Sequence, residues 1–260
     1  MKTSVVINCD TRPSNDTAEK MFSGCCNEDF LADGVINKIK FFEGFDIEVI
    51  LFIDKHADIS SETLAKISEL ADTLVIRKHT HENGFNDYNY LKALQLANGE
   101  IIAHFDQDTA AFTSDPKYVQ HLIDLTEQHA FVSYPSYWSP KPVHDESFGN
   151  RTWASTRFFI CKKEYIKFDE LYNCIKEPNW GYEKYGDSPR RCNWLEHFLT
   201  LTSNDDCYYP PLDVPNYTIF SWDRYTKGTL QMLNNLPYKE VEQYIYDCGS
   251  LHYPVDLTAK

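Results

Sequence analysis

The chain has 260 residues, 42% hydrophobic and 25% charged, and 39 acidic against 25 basic side chains leave a net charge of −14. Such acidity repels phosphodiester backbones and excludes a typical nucleic-acid reader, and the hydrophobic share excludes a disordered chain. No apolar run approaches the roughly 20 residues of a membrane-spanning helix, and the N-terminus lacks the long hydrophobic region of an export signal, so a cytoplasmic protein is expected.

The first half alternates short apolar runs with helix-like stretches. Ser4 to Asn8 reads as a strand, followed by the polar segment Cys9-Asp10-Thr11-Arg12-Pro13. Phe30, Leu31, Val35, Ile39 and Phe42 then recur at helical spacing. Ile47 to Ile53 is a β-prone run that stops at Asp54. Leu64, Ile67 and Ala71 define a helix face with Ser60 or Ser61 as N-cap, and Thr73 to Arg77 is a further strand. The spacing predicts a helix from Asn86 to Asn98 with Gly99 as its C-terminal stop, then a strand from Ile101 to Phe105 ending at Asp106. Ser114-Asp115-Pro116 has the cap-then-proline signature of another helix start. In the second half, residues 131–134 and 157–161 read as strands, 176–193 as a Pro/Gly/Tyr-rich loop, and Trp194 to Leu199 as a helix start.

Strand–helix–strand alternation predicts an α/β fold: a mainly parallel central sheet with helices on both faces. With no linker or repeat in view, residues 1–260 are read as one domain, 1–115 forming a nucleotide-binding half and 116–260 an acceptor-binding half. Parallel sheets bind ligands beyond the carboxyl ends of their strands. Three predicted strands end there in acids: Asp10, Asp54, and Asp106 with Asp108. The eight cysteines form no C-x-x-C pair, so they are expected to be reduced, buried or inert thiols and not zinc ligands. Aromatics make up 15% of the chain, which suits a sugar-binding cleft as well as a core.

Asp106-Gln107-Asp108 is a D-x-D, a triplet that chance supplies about twice in a chain with 22 aspartates. Its context carries more weight: it directly follows an apolar strand, which itself follows a helix and the turn Ala97-Asn98-Gly99-Glu100. Two carboxylates one residue apart suit one hard divalent cation, and such a cation offsets the charge of a departing diphosphate. In an acidic protein, the metal inverts the local field for a nucleotide.

The run from Asn83-Gly84 through the helix, the Ala97-Asn98-Gly99-Glu100 turn and the strand to Asp106-Gln107-Asp108 resembles the central signature of GT-A nucleotide-sugar glycosyltransferases, especially the inverting family 2. The strand ending in Asp54 and the first strand with its polar loop match that family in placement, and the likeness covers roughly residues 1–115. It implies a metal-dependent transfer of one sugar from a nucleoside-diphosphate donor, UDP being favoured, to a hydroxyl of a glycan. Donor-binding residues implied are Asp10, Arg12, Asp54, Asp106 and Asp108. The metal would be held by Asp106, Asp108 and a late histidine, His252 in Gly249-Ser250-Leu251-His252-Tyr253-Pro254. A nitrogen ligand favours Mn²⁺ over Mg²⁺. The family places its carboxylate base at a helix start well after the D-x-D, which implies Glu196, with Asp187 and Glu183 as alternates and Trp194 as an acceptor wall. His197 follows Glu196 where the family has a second acid, and the Gln-x-x-Arg-Trp element of processive synthases is missing. Two rivals remain: a sugar-phosphate nucleotidyltransferase, against which the glycine-free segment Cys9 to Ser14 argues, and a non-catalytic carbohydrate-binding module.

Overall fold

Strand β1 (Thr3–Cys9), helix α1 (Leu31–Phe41), strand β2 (Ile47–Ile53), helix α2 (Ser61–Ser68), strand β3 (Thr73–Ile76), helix α3 (Asp87–Leu96) and strand β4 (Ile101–Asp106) open the computed structural model. It describes residues 1–9, 31–53, 59–76, 87–106, 109–113, 116–133, 154, 158–185, 194–204, 206–208, 210 and 217–221. Strands β1 to β4 are parallel, in the order β3-β2-β1-β4. Strands β1, β2 and β4 are buried along almost their whole length. Covered on both faces, they need apolar residues on both, which is why they read as continuous hydrophobic runs. Ser60 caps α2, its hydroxyl accepting from the Thr63 amide at 3.2 Å.

After β4 the chain continues through β5 (Thr109–Thr113), α4 (Pro116–Leu125), β6 (Phe131–Ser133), β7 (Phe158–Lys162), α5 (Phe168–Lys176), α6 (Pro178–Tyr185), α7 (Trp194–Thr202), β8 (Cys207–Tyr208) and β9 (Tyr217–Ser221). The main sheet is β3-β2-β1-β4-β7-β6-β8, and β5 pairs with β9 in a separate two-stranded sheet. Strand β7 runs antiparallel to both β4 and β6, and β8 runs parallel to β6. Strands β6 and β8 therefore point the same way as β4.

The period of two along each strand divides the core. Val5, Ile7, Val49, Leu51, Ala103 and Phe105 face α1 and α4. Val6, Ile50, Phe52, Ile102 and Phe159 face α3, α5 and α7. The mainly parallel α/β sheet with helices on both faces is as the alternation predicts.

Two expectations need correction. Residues 176–193 are not a loop throughout, because Pro178–Tyr185 is α6. Its proline sits at the first helical position, where the missing N–H costs nothing. Its glycine lies where α6 crosses its neighbours: a Cβ on Gly181 would come within 2.7 Å of the Phe198 ring and 2.9 Å of Cys174 Sγ. Composition that signals a loop here serves close helix packing. Gly99 likewise is not a left-handed stop for α3, which ends at Leu96. A Cβ there would lie 2.6 Å from the Ser4 nitrogen and 2.7 Å from the Lys2 carbonyl oxygen, so the turn needs glycine to pass against the start of β1.

Among the described residues Cys9, Cys161, Cys174 and Cys207 are buried. Burial pushes the Cys174 thiol up to about 11 and raises that of Cys161 well above its ordinary value, so both are inert at neutral pH. No helix among the described residues is long and apolar enough to cross a membrane.

Candidate active site

Three parallel strands end level at one edge of the sheet. Cys9 pairs in register with Ile53, and Asn8 with Asp106. Asp10 and Asp54 are the next residues in sequence; both lie outside the described residues, as do Arg12, Asp108, Asp187 and His252. Asp106 is half-buried at the end of β4. By strand alternation it follows Ile102 and His104 onto the face covered by α3, α5 and α7.

That face brings the second acid. Helix α7 leads into β8 through a short connection, and β8 runs in the direction of β4. The helix therefore descends toward the amino edge of the sheet and presents its N-terminus at the carboxyl edge. Glu196 sits in its first turn, 8% exposed, and the helix is locked below it by Leu195, Phe198 and Leu199 in the core. The Glu196 carbonyl accepts from the Thr200 hydroxyl at 2.8 Å, and that hydroxyl oxygen in turn accepts from the Ala154 amide at 3.0 Å. Asp106 and Glu196 thus share one edge and one face. Glu183 does not join them as a buried group: it is exposed on α6, where the inward positions are Gly181 and Tyr182. Trp194 is the first residue of α7.

Several residues beneath this edge escaped the sequence reading. His104, fully buried, stacks on Phe159 with ring centroids 5.1 Å apart, and its Nε2 is hydrogen-bonded to the Tyr90 hydroxyl of α3. The pair ties α3 to β4 two residues before Asp106. A histidine inside the apolar run Ile101-Ile102-Ala103-His104-Phe105 was its only signal in the sequence. On the opposite face Lys38 of α1 is fully buried, its Nζ donating to the Gly34 carbonyl at 3.3 Å and lying 5.9 Å from the Phe105 ring centre. Its neighbour Asn37 accepts from the Ala111 amide of β5 at 2.9 Å, so α1 braces both strands that flank the Gln107-Asp108 connection.

At the other end of β4 a buried latch holds the strand in place. Glu48 accepts from the Ser4 hydroxyl at 2.6 Å, the Asn98 amide nitrogen at 2.9 Å and the Asn98 side chain at 2.6 Å. The Ser4 hydroxyl oxygen also accepts from the Gly99 amide at 2.8 Å. Burial by itself would raise the Glu48 carboxyl, but these donors and the nearby Lys2 charge outweigh it and hold the group below its ordinary value.

The donor chemistry suits a hard divalent cation. Asp106 offers carboxylate oxygen, and the adjacent Asn8 side-chain oxygen is buried with no hydrogen-bond partner among the described residues. Among those residues no group of three or more His, Cys, Asp or Glu side chains gathers as a ready metal cage.

No protein-family model matches the chain, and no curated protein matches it in sequence. Solved structures do share its shape. Staphylococcus aureus TarS 1-349 in complex with UDP-GlcNAc is 15% identical over 100% of this chain and 74% of that one, with a TM-score of 0.47. The galactosyltransferase LgtC in complex with donor and acceptor sugar analogs is 11% identical over 79% and 72%, with a TM-score of 0.48. A cytidylyltransferase from Leptospira borgpetersenii is 15% identical over 96% of both chains, with a TM-score of 0.50. At these identities the likeness is one of fold alone, a mainly parallel α/β sheet that the chain shares with the cytidylyltransferase.

Proposed function

We propose that this chain is a metal-dependent glycosyltransferase moving one sugar, a hexose or deoxyhexose, from a nucleoside-diphosphate donor to a hydroxyl of a glycan or glycoconjugate, with inversion. The observation that supports it is the placement of Asp106 at the carboxyl end of β4 and of Glu196 in the first turn of α7, the helix that covers the same face of the sheet. In-line displacement needs a carboxylate to take the acceptor proton on one side of the anomeric carbon while the diphosphate leaves on the other. Glu196 is the base in this reading, and Trp194 the wall for the acceptor sugar. Asp10, Arg12 and Asp54 contact the nucleotide, with UDP the favoured base. Asp106 and Asp108, joined by His252, would hold Mn²⁺ by preference. When bound, that cation supplies Lewis-acid stabilisation of the leaving diphosphate.

Nucleotidyl transfer to a sugar phosphate is the second reading, kept because the cytidylyltransferase shares the fold along nearly the whole of both chains. The segment Cys9 to Ser14 has no glycine with which to cradle a triphosphate, which favours sugar transfer. A panel of nucleotide-sugars incubated with Mn²⁺ separates the two. Release of free nucleoside diphosphate is expected; release of pyrophosphate from a nucleoside triphosphate and a sugar phosphate would support the second reading instead. Asp108→Asn should abolish diphosphate release with an unchanged circular-dichroism melt, and activity within a few-fold of wild type would overturn the metal site.

A further inference from the structure

Lys38 breaks the pattern of the helix that carries it. The inward stripe of α1 runs through Leu31, Val35 and Phe41, and Lys38, fully buried, falls on that stripe where an apolar side chain is expected. Helix α1 links two parallel strands and so runs against them, with its first turn at the carboxyl edge. The Lys38 stem follows the usual tilt toward the helix N-terminus, and its Nζ donates to the Gly34 carbonyl one turn back, at 3.3 Å. The ammonium therefore sits toward the carboxyl edge, 5.9 Å from the ring centre of Phe105, the residue before Asp106. Successive strand residues point to opposite faces, so this cation stands behind the strand end that carries Asp106. Burying an ammonium is costly, and an apolar side chain of similar volume would fill the place without that cost. The acids of the edge give the charge a purpose: Asp106 ends β4, and Asp10, Asp54 and Asp108 follow the ends of β1, β2 and β4 in the sequence. Asp33, the acid in the first turn of α1, lies five positions before Lys38, about 140° round the helix, and does not share its stripe.

We propose that Lys38 is a positioning residue of the metal site, a fixed counter-charge behind Asp106 that opposes the repulsion among the edge acids while no cation is bound. Sealed in the core and on the opposite face from Asp106, it touches neither cation nor nucleotide. It acts through its field alone, which a buried position screens little. The order of binding follows from its sign. A fixed positive charge lowers the affinity of the acids for a divalent cation on its own and raises the affinity of the site for an anionic diphosphate. The cation is then held chiefly when the donor arrives with it. The inference rests on the reading of Asp106 as a ligand of a divalent cation.

Calorimetric titration of the full chain, wild type against Lys38→Met, tests it with Mn²⁺ alone and with UDP at saturating Mn²⁺. Methionine is unbranched and fills the space of the stem while removing the charge. Mn²⁺ alone should bind about threefold or more tightly to Lys38→Met, and UDP about threefold or more weakly, as expected of one charge acting through the protein interior. A lysine that merely packs the core would, once replaced, loosen the site and weaken both. That result overturns the inference, and so does any other short of these opposite shifts, Mn²⁺ affinity equal to wild type within about twofold included. Should Lys38→Met not fold, as read by far-UV circular dichroism, Lys38→Gln is titrated in its place against the same expectation. Wild type that binds both ligands while the variant shows no opposite shifts loses only the inference. No binding of Mn²⁺, alone or with UDP, to wild type removes the reading of the metal site beneath it.

Discussion

Glu196 combines the two properties a base at this site needs: it is fixed by a helix whose lower turns are in the core, and it keeps 8% of its surface open. A glutamine there keeps the size and most of the hydrogen bonding but cannot take up the acceptor proton. Glu196→Gln should therefore leave donor affinity within a few-fold of wild type and lower acceptor-dependent turnover by about 10²–10⁴. Steady-state kinetics beside a donor titration measure both. The same loss in Asp187→Asn or Glu183→Gln, with Glu196→Gln near wild type, would move the role to that acid. For Glu183, its exposed place on α6 speaks against this. At the same scale Tyr90 and His104 show how polar groups can be carried inside a sheet core: the Tyr90 hydroxyl pairs with His104 Nε2, and Phe159 stacks on the imidazole.

Between elements, the turn from α3 to β4 decides where Asp106 ends up. The turn passes so close to β1 that only glycine fits at position 99. The atoms a Cβ would strike include the Ser4 nitrogen and the Lys2 carbonyl oxygen, which are backbone and cannot swing aside. Gly99→Ala should destabilise the protein by about 1–3 kcal/mol, which lowers the melting temperature by roughly 2–4 °C per kcal/mol in a domain of this size. Because β4 would have to shift against β1, Mn²⁺ and donor affinity should weaken as well. A melt and a donor titration indistinguishable from wild type would show that the turn has slack. Helix α6 obeys the same logic, with Gly181 admitting the Phe198 ring.

Across the molecule, the sheet is held at its amino edge by the Glu48 latch. Glu48 joins β1, β2 and the α3–β4 turn through three hydrogen bonds to one carboxylate. Its proton affinity in the folded state is below the ordinary one. The latch therefore contributes fully above the ordinary glutamate value of about 4.3, and its share is lost as pH falls through the lower folded value. Glu48→Gln should cost about 1–3 kcal/mol at neutral pH and flatten the loss of stability between about pH 5 and the acid limit. Urea unfolding at a series of pH values reads this directly; parallel wild-type and variant curves would mean that Glu48 is not the group responsible.

The class of fold was legible because its signals are local. Ile47 to Ile53 is a strand in sequence and in structure, and the Ser60 cap of α2 follows from a hydroxyl placed before an apolar periodicity. Asp106 at the end of β4 and the helix start at Trp194 are legible for the same reason, since each needs only a strand or helix end in its own neighbourhood. Residues that act through distant partners left no such trace. Glu48 and Asn98 lie 50 positions apart and meet only when β2 and the α3–β4 turn are assembled. Pro178 and Gly181 look like loop residues until α5 and α7 are packed on either side of them. By itself the sequence determined an α/β chain with acids at strand ends, because periodicity and capping act over a few residues. Only the tertiary structure decided which acids share an edge and that Asn8 stands beside Asp106, because register and strand order are set by packing between segments far apart in the chain.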